Sequence, residues 1–558
     1  MNRMKRGVES VLRSAPLLCQ PSRYASGGKV SDVSSTGKTV KGTQPTVSAS
    51  TATAPQATSN TVNNDKLKSG RIPLDVPLPG LQNPSFSTTE HGSYDTYVTK
   101  LDTGLRVASQ PRPGRYCTIG VAVKSGARYE KPFVKGVSHV IEKLGFLTSD
   151  GYPDKTSIVK EMEHYGAICD SQSTRDTTVY AISLQISGLP KMMKLLGDAV
   201  LRPHLTDEEL AGARQSILYE IEDLQLRPEK EAVIMEMIHE AAWNNNTLGY
   251  ARFCRPEGIE SITRQEILKF MKTNYTPERI VVSAVGVDHS ELVDLSKEYF
   301  NVDNATWNVE GVKGVDPDES TATYTGGDVR LQQDFTQFNA GPLPVPKLTH
   351  MALGLQSVSH MDKLFIPACV LNIMMGGGGS FSAGGPGKGM YSRLYTNVLN
   401  NKHWVYNATA YNNSYSDSGM FCIYASAPPE YMKSLTETLM VEFHRMAEPV
   451  EPQEFDRAKR QLQSMLLMNL ESRPVLFEDI GRQVLAHGHY KPPSVYMNLI
   501  DEVTPDDIKE LALRMLKSRP SIAALGMLER LPKYSDIIMA GQDGDILKFQ
   551  QPKNFFRR

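Results

Sequence analysis

The chain carries one pattern twice, and this duplication limits its possible folds more than any other feature. Leu205-Thr-Asp-Glu-Glu-Leu-Ala-Gly-Ala-Arg214 aligns with Val450-Glu-Pro-Gln-Glu-Phe-Asp-Arg-Ala-Lys459. Each segment runs through a helical pattern to an Arg-Pro pair, Arg227-Pro228 and Arg473-Pro474. Thr263 and Thr504 then each open a helix as capping residues. Each of these helices leads to an apolar strand that ends in glycine, at Gly286 and Gly526. Alternating strands stand near the front of each half, at Thr118–Lys124 and Met351–Leu355. Matches at nearly constant spacing are the mark of one unit used twice. Strands mixed with helix pairs make that unit an α+β domain. The expected organisation is an N-terminal domain at 73–308, a polar Gly/Pro-rich linker at 309–346 and a C-terminal domain at 347–558. Two similar domains joined this way enclose a cleft, a common place for ligands.

Composition narrows the function. At 558 residues the chain exceeds what a single core holds. A net charge of -1 gives no pull toward nucleic acid. The six cysteines are scattered and form no C-x-x-C pair, so neither a zinc knuckle nor a disulfide framework is indicated. No apolar run reaches the roughly eighteen residues of a membrane helix. The N-terminus is different in kind. Residues 1–24 set Arg3, Lys5, Arg6, Arg13 and Arg23 against a single acid, Glu9, with apolar residues at helical spacing. This is the composition of a mitochondrial transit peptide. Residues 25–72 read as a disordered Ser/Thr-rich spacer.

Gly376 to Met390 reads GGGGSFSAGGPGKGM, between segments that look ordered. Such a run is expected to form neither helix nor strand, because glycine pays the largest backbone entropy cost. A phosphate-binding loop would need glycine at Ser382 and Ser/Thr at Gly389. A dinucleotide fingerprint fails at Phe381. A mobile peptide-contacting loop and a plain linker remain; Phe381 speaks against the linker.

The first half also holds Ser138-His-Val-Ile-Glu-Lys143. The pattern H-x-x-E-H supplies two zinc ligands and a general base on one helix. Here Lys143 takes the second ligand position, and an ammonium has no lone pair for a metal. Glu220, on a predicted helix further along, stands where a third ligand would be. The four residues His139, Glu142, Lys143 and Glu220 therefore read as a degenerate metal motif, with no catalytic residue and no metal in this chain. His487 and His489 are two apart, which on a helix points them to different faces.

These features together resemble the M16, or inverzincin, peptidase family: the H-x-x-E-K frame with Glu220, the duplicated domain and the glycine run. The segments Met468–Pro474 and Gly481–Ala486 add to the likeness, which points to the alpha-subunit branch of the mitochondrial processing peptidases. The resemblance runs from about Pro73 to the C-terminus. It implies two homologous α+β domains of inverzincin type. It implies a non-catalytic subunit of a zinc metalloendopeptidase, paired with a beta subunit that carries the zinc. It implies basic presequence peptides as ligands and a place in the mitochondrial matrix. Related proteins are core subunits of respiratory complex III, so a structural role on the matrix side of the inner membrane, with other complex III subunits as partners, is the alternative. Substrate contact is carried over onto Gly376, Gly377, Gly378, Gly379, Ser380, Phe381, Gly384, Gly385, Gly387 and Gly389. A receptor for arginine-bearing peptides also needs carboxylates, and Glu454, Glu478 and Asp479 are the candidates, with Glu220, Glu222 and Asp223 in the first half.

Overall fold

The computed structural model describes residues 94–244, 246–335, 347–379 and 390–543. The expected transit peptide and spacer lie outside these residues, as do Ser380, Phe381, Gly384, Gly385, Gly387 and Gly389 of the glycine run.

The first half runs β1 (Tyr97–Lys100), β2 (Arg106–Gln110), β3 (Tyr116–Val123), α1 (Val137–Lys143), α2 (Lys155–His164), β4 (Ile168–Ser173) and β5 (Thr178–Gln185). It continues through α3 (Leu189–Leu201), α4 (Asp207–Leu226), α5 (Glu231–Trp243), α6 (Arg264–Asn274), β6 (Ile280–Val285) and α7 (His289–Tyr299). The second half opens with β7 (Gly327–Gln332), β8 (Thr349–Ser357), α8 (Phe365–Met375), β9 (Gly377–Gly379), β10 (Asn407–Ser414) and β11 (Gly419–Ala427). Then come α9 (Met432–Arg445), α10 (Pro452–Leu470), α11 (Arg473–His487), α12 (Pro493–Glu502), α13 (Pro505–Leu516), β12 (Ser521–Gly526) and α14 (Tyr534–Asp543).

The repeat is realised in five strands of each sheet, with β1 added at one end of the first and β9 at the other end of the second. The first sheet is ordered β1-β2-β6-β3-β5-β4 and the second β7-β12-β8-β11-β10-β9. In each, one parallel pair (β2 with β6, β7 with β12) is followed by antiparallel neighbours. The capping threonines do what their sequence suggests: Thr263 accepts from the Glu266 N–H, and Thr504 forms a full capping box with Asp507.

Two expectations need correction. Part of the expected linker is strand: Gly327–Gln332 pairs in parallel with β12, so the second half begins before residue 347. Its polar composition hid an edge strand whose Val329 packs against a core that includes α5. Nor is the start of the glycine run irregular. Gly377–Gly379 pairs antiparallel with Thr409–Asn407 of β10. Packing decides this against backbone entropy. Gly376 and Gly377 take φ of 52° and 99°, open to glycine at little cost. A Cβ on Gly377 would overlap the Ala408 carbonyl oxygen, one on Gly378 would overlap the Tyr395 hydroxyl, and one on Gly376 would sit 2.5 Å from Ser392 Cβ.

The strands are apolar on both faces because each half lends a helix to the other. On the first sheet, Ile119, Val121, Ile280 and Val282 face the core built from that half's helices. The alternate residues Ala122, Val281 and Val285 face Phe477 and Ile480 of α11, from the second half. On the second sheet, Ala352, Cys422, Tyr424 and Leu525 face Ile234, Ile238 and Trp243 of α5, from the first half. The exchanged helices are the ones that follow the two Arg-Pro pairs. Glycine permits the close approach: a Cβ on Gly120 would lie 2.5 Å from Phe477 Cζ. Polar contacts lock the exchange. Arg106 donates to the Val484 carbonyl at 2.8 Å, buried Arg128 reaches Asp417 at 2.7 Å, and His239 meets the Tyr415 hydroxyl at 2.8 Å.

Candidate functional site

The degenerate motif lies on α1, and its start is held by a buried carboxylate that sequence reading passed over. Glu130 accepts from the N–H of Gly136 at 2.6 Å and of Ser138 at 2.9 Å. Burial pushes this carboxyl up to about 7 even though those hydrogen bonds favour its charged form. Gly136 enters the helix at φ 92°, with Cys254 packed against it. The seven-residue α1 then presents His139, Glu142 and Lys143 on one face, as i, i+3 and i+4 spacing requires.

Glu220 arrives from α4 and completes the cluster. His139 Nδ1 accepts from the Cys254 N–H at 3.1 Å. That fixes the tautomer, so Nε2 carries the proton and donates to Glu220 Oε2 at 3.3 Å. The Lys143 ammonium sits 2.7 Å from the same Glu220 oxygen and 3.1 Å from Glu142 Oε1. Glu142 Oε2 in turn accepts from the Ser173 N–H at 2.8 Å, at the end of β4. Burial pushes the Glu220 carboxyl up, but the His139 hydrogen bond and the Lys143 ammonium outweigh it and hold it at about 2. Burial works against the Lys143 charge, yet Glu142 and Glu220 raise its affinity for the proton.

A metal does not fit these residues. Both His139 nitrogens are committed, and a fixed cation occupies the space between the two carboxylates. Among the described residues no group of three His, Cys, Asp or Glu side chains is placed to hold a metal ion. An internal ammonium supplies the positive charge between the two carboxylates.

The carboxylates expected to receive a basic peptide have different fates. Glu454 is engaged inside the second half: Arg393 donates to it in bidentate fashion at 2.7 and 3.0 Å, both side chains being largely buried. Its reading as a candidate contact for a basic peptide did not include this partner. The ion pair ties α10 to the segment just after the glycine run. Asp223 pairs with Arg227 on its own helix. Glu478, on exchanged helix α11, is held at Oε1 by Arg482 at 2.6 Å. It lines a small cavity with Pro474 and Phe477 on one side and Asp170, Val179 and Ala181 on the other. Asp479 accepts from Gln483 at 2.9 Å, and burial pushes its carboxyl up to about 7, with Glu478 adding to the effect. Glu478 therefore lies beside the first sheet, whereas Glu454 is paired within the second half. His487 and His360 stack edge-on with centroids 5.6 Å apart, near the end of α11.

Comparison with known proteins gives this arrangement its place. The insulinase-type M16 peptidase model matches residues 106–255, and the model described as the M16 inactive domain matches residues 261–462. The chain is 48% identical to the human mitochondrial-processing peptidase subunit alpha over 85% of this chain and 90% of that protein. The Caenorhabditis elegans subunit alpha is 41% identical over 88% and 96%. A probable subunit alpha from Schizosaccharomyces pombe is 33% identical over 78% and 85%. The chain belongs to the M16 peptidase family. Its two homologous α+β halves are those of that family, and its degenerate motif fits a non-catalytic member. No described helix is long and apolar enough to cross a membrane.

Proposed function

We propose that this chain is the substrate-recognising, non-catalytic alpha subunit of a mitochondrial processing peptidase. It holds basic presequences in the cleft between its halves for cleavage by a zinc-bearing beta subunit in the matrix. The observation that carries this reading is the Lys143 ammonium set between Glu142 and Glu220. A peptidase of this family needs a metal-bound water there, and a fixed ammonium can neither activate water nor polarise a carbonyl as a Lewis acid. What remains useful is binding. The cavity sets Glu478 beside an uncovered part of the first sheet, which suits a ligand rich in arginine, and Asp479 is the next acid on the same helix. The glycine run leaves the rim of the second sheet at β9. Its residues Gly376 to Gly379, Ser380, Phe381, Gly384, Gly385, Gly387 and Gly389 contact the peptide in this reading, since backbone without bulk accepts varied sequences. The relatives carry the processing-peptidase name, and no observation favours the complex III core role over it.

Reconstitution tests the proposal. The purified chain should bind an arginine-rich presequence peptide and cleave no precursor, and cleavage should appear when the catalytic partner is added. Precursor cleavage by the chain alone in the presence of zinc would overturn it, as would a partner that cleaves equally well without it.

A further inference from the structure

We infer that Asp170 of β4 and Glu478 of α11 form one guanidinium subsite, on a strip of the first sheet that no helix covers. The inference rests on the proposed peptide-binding function and names a residue that the motif reading never reached.

Strand register puts Ile168, Asp170 and Gln172 on the same face of the sheet. In β4 they stand opposite Ser183, Ala181 and Val179 of β5, which stand opposite Thr118, Gly120 and Ala122 of β3. This is the face on which α11 lies, with Phe477 over Gly120 and Gly481 so placed that a Cβ on it would lie 3.4 Å from Ala122 Cβ. Helix α11 covers β3 and β6 and stops short of β4. The strip over β4 and β5 is therefore a shallow trough. Pro474, Phe477 and Glu478 of the second half form its wall, and Val179 and Ala181 form its floor. The trough ends at Ile168, which is 60% exposed. In the second half the matching strand β10 is closed at its edge by the chain's own β9, whereas β4 ends the first sheet.

The occupant follows from the charges. No basic side chain among the described residues forms an ion pair with Asp170. Burial raises its carboxyl, a Ser171 N–H opposes this, Glu142 and Glu478 raise it further, and the Lys143 ammonium offsets them only in part. Arg482 engages Glu478 through Oε1, and Glu478 lines the cavity with Asp170. The two acids repel one another across an apolar floor, and a planar guanidinium can bridge both. An apolar residue beside it would meet Ile168, Val179 and Ala181. An amphipathic basic peptide offers both surfaces together.

The test uses the full-length chain and a fluorescent peptide with the sequence of its residues 1–25, a basic amphipathic segment. Single Arg→Gln variants of that peptide at Arg3, Arg6, Arg13 and Arg23 complete a double-mutant cycle. Asp170→Asn should weaken binding of the parent peptide about tenfold, the scale for losing one partner of a partly desolvated charge pair. At least one Arg→Gln peptide should then lose nothing more in the variant. Unchanged affinity in Asp170→Asn, or losses that simply add for every peptide, would overturn this subsite while leaving the wider function standing. Failure of the unmodified chain to bind the peptide would remove both.

Discussion

The ammonium of Lys143 lies 2.7 Å from the carboxylate of Glu220. The pair is partly exposed, so its strength is that of a screened contact rather than a buried one. Burial raises the Glu220 carboxyl, but His139 and Lys143 outweigh it and carry the group from 4.5 to about 2. A depressed acid stabilises the fold above its unfolded value and loses that contribution as the pH falls toward the folded value. Glu220→Gln should therefore cost about 1 kcal/mol at pH 7. The cost should fade between pH 4.5 and pH 2, read by urea unfolding across that range.

Lys143→His restores the H-x-x-E-H pattern on a helix that already points His139 Nε2 and Glu220 at one another. The variant should bind zinc near one equivalent after dialysis, and the parent chain should bind none at that site. Atomic emission on both proteins checks this. Equal zinc in the two would show that Lys143 does not take the metal's place.

Asp479 titrates in the opposite sense. Its carboxyl rises from 3.8 to about 7, chiefly through burial. The native state therefore holds a proton that the unfolded chain releases, and stability declines as the pH rises through that interval. Asp479→Asn should stabilise the protein at pH 8 by about 1 kcal/mol and leave it unchanged near pH 3.5. Thermal melts at the two values decide it.

Glu454 and Glu478 should separate in experiment. Glu454→Gln leaves the Arg393 guanidinium poorly paired in a largely buried position and should destabilise the fold by about 2 kcal/mol. Glu478→Gln should weaken binding of a basic peptide with little change in melting temperature. A variant of Glu454 that is fully stable yet binds peptide poorly would reverse these assignments.

Gly377→Ala tests whether the glycine run is anchored. Its φ of 99° and the overlap with the Ala408 carbonyl should detach β9, at about 1–3 kcal/mol. Faster amide exchange at Asn407–Thr409 is the specific signature. Exchange unchanged there would mean that the pairing is not maintained in solution.

Much of the site was legible because its signals are local. Helix spacing alone put His139, Glu142 and Lys143 on one face, and the chemistry of an ammonium showed why a metal would be lost. The threonine caps and the paired strands likewise announce themselves within a few residues. Asp170 was not legible: one acid in a short, half-polar strand carries no pattern, and its neighbour Glu478 is far away in sequence. Glu454 looked available because its partner, Arg393, comes from a segment that no periodicity links to it.

The sequence by itself determined the repeat, the two α+β units and the degenerate motif, since periodicity, capping and side-chain chemistry operate over a few residues. Only the tertiary structure decided that α5 and α11 change places between the halves, that three glycines are packed rather than free, and which carboxylates reach the cleft. Those outcomes depend on which apolar face finds cover and which charge finds a partner, and these are set by residues from tens to hundreds of positions apart.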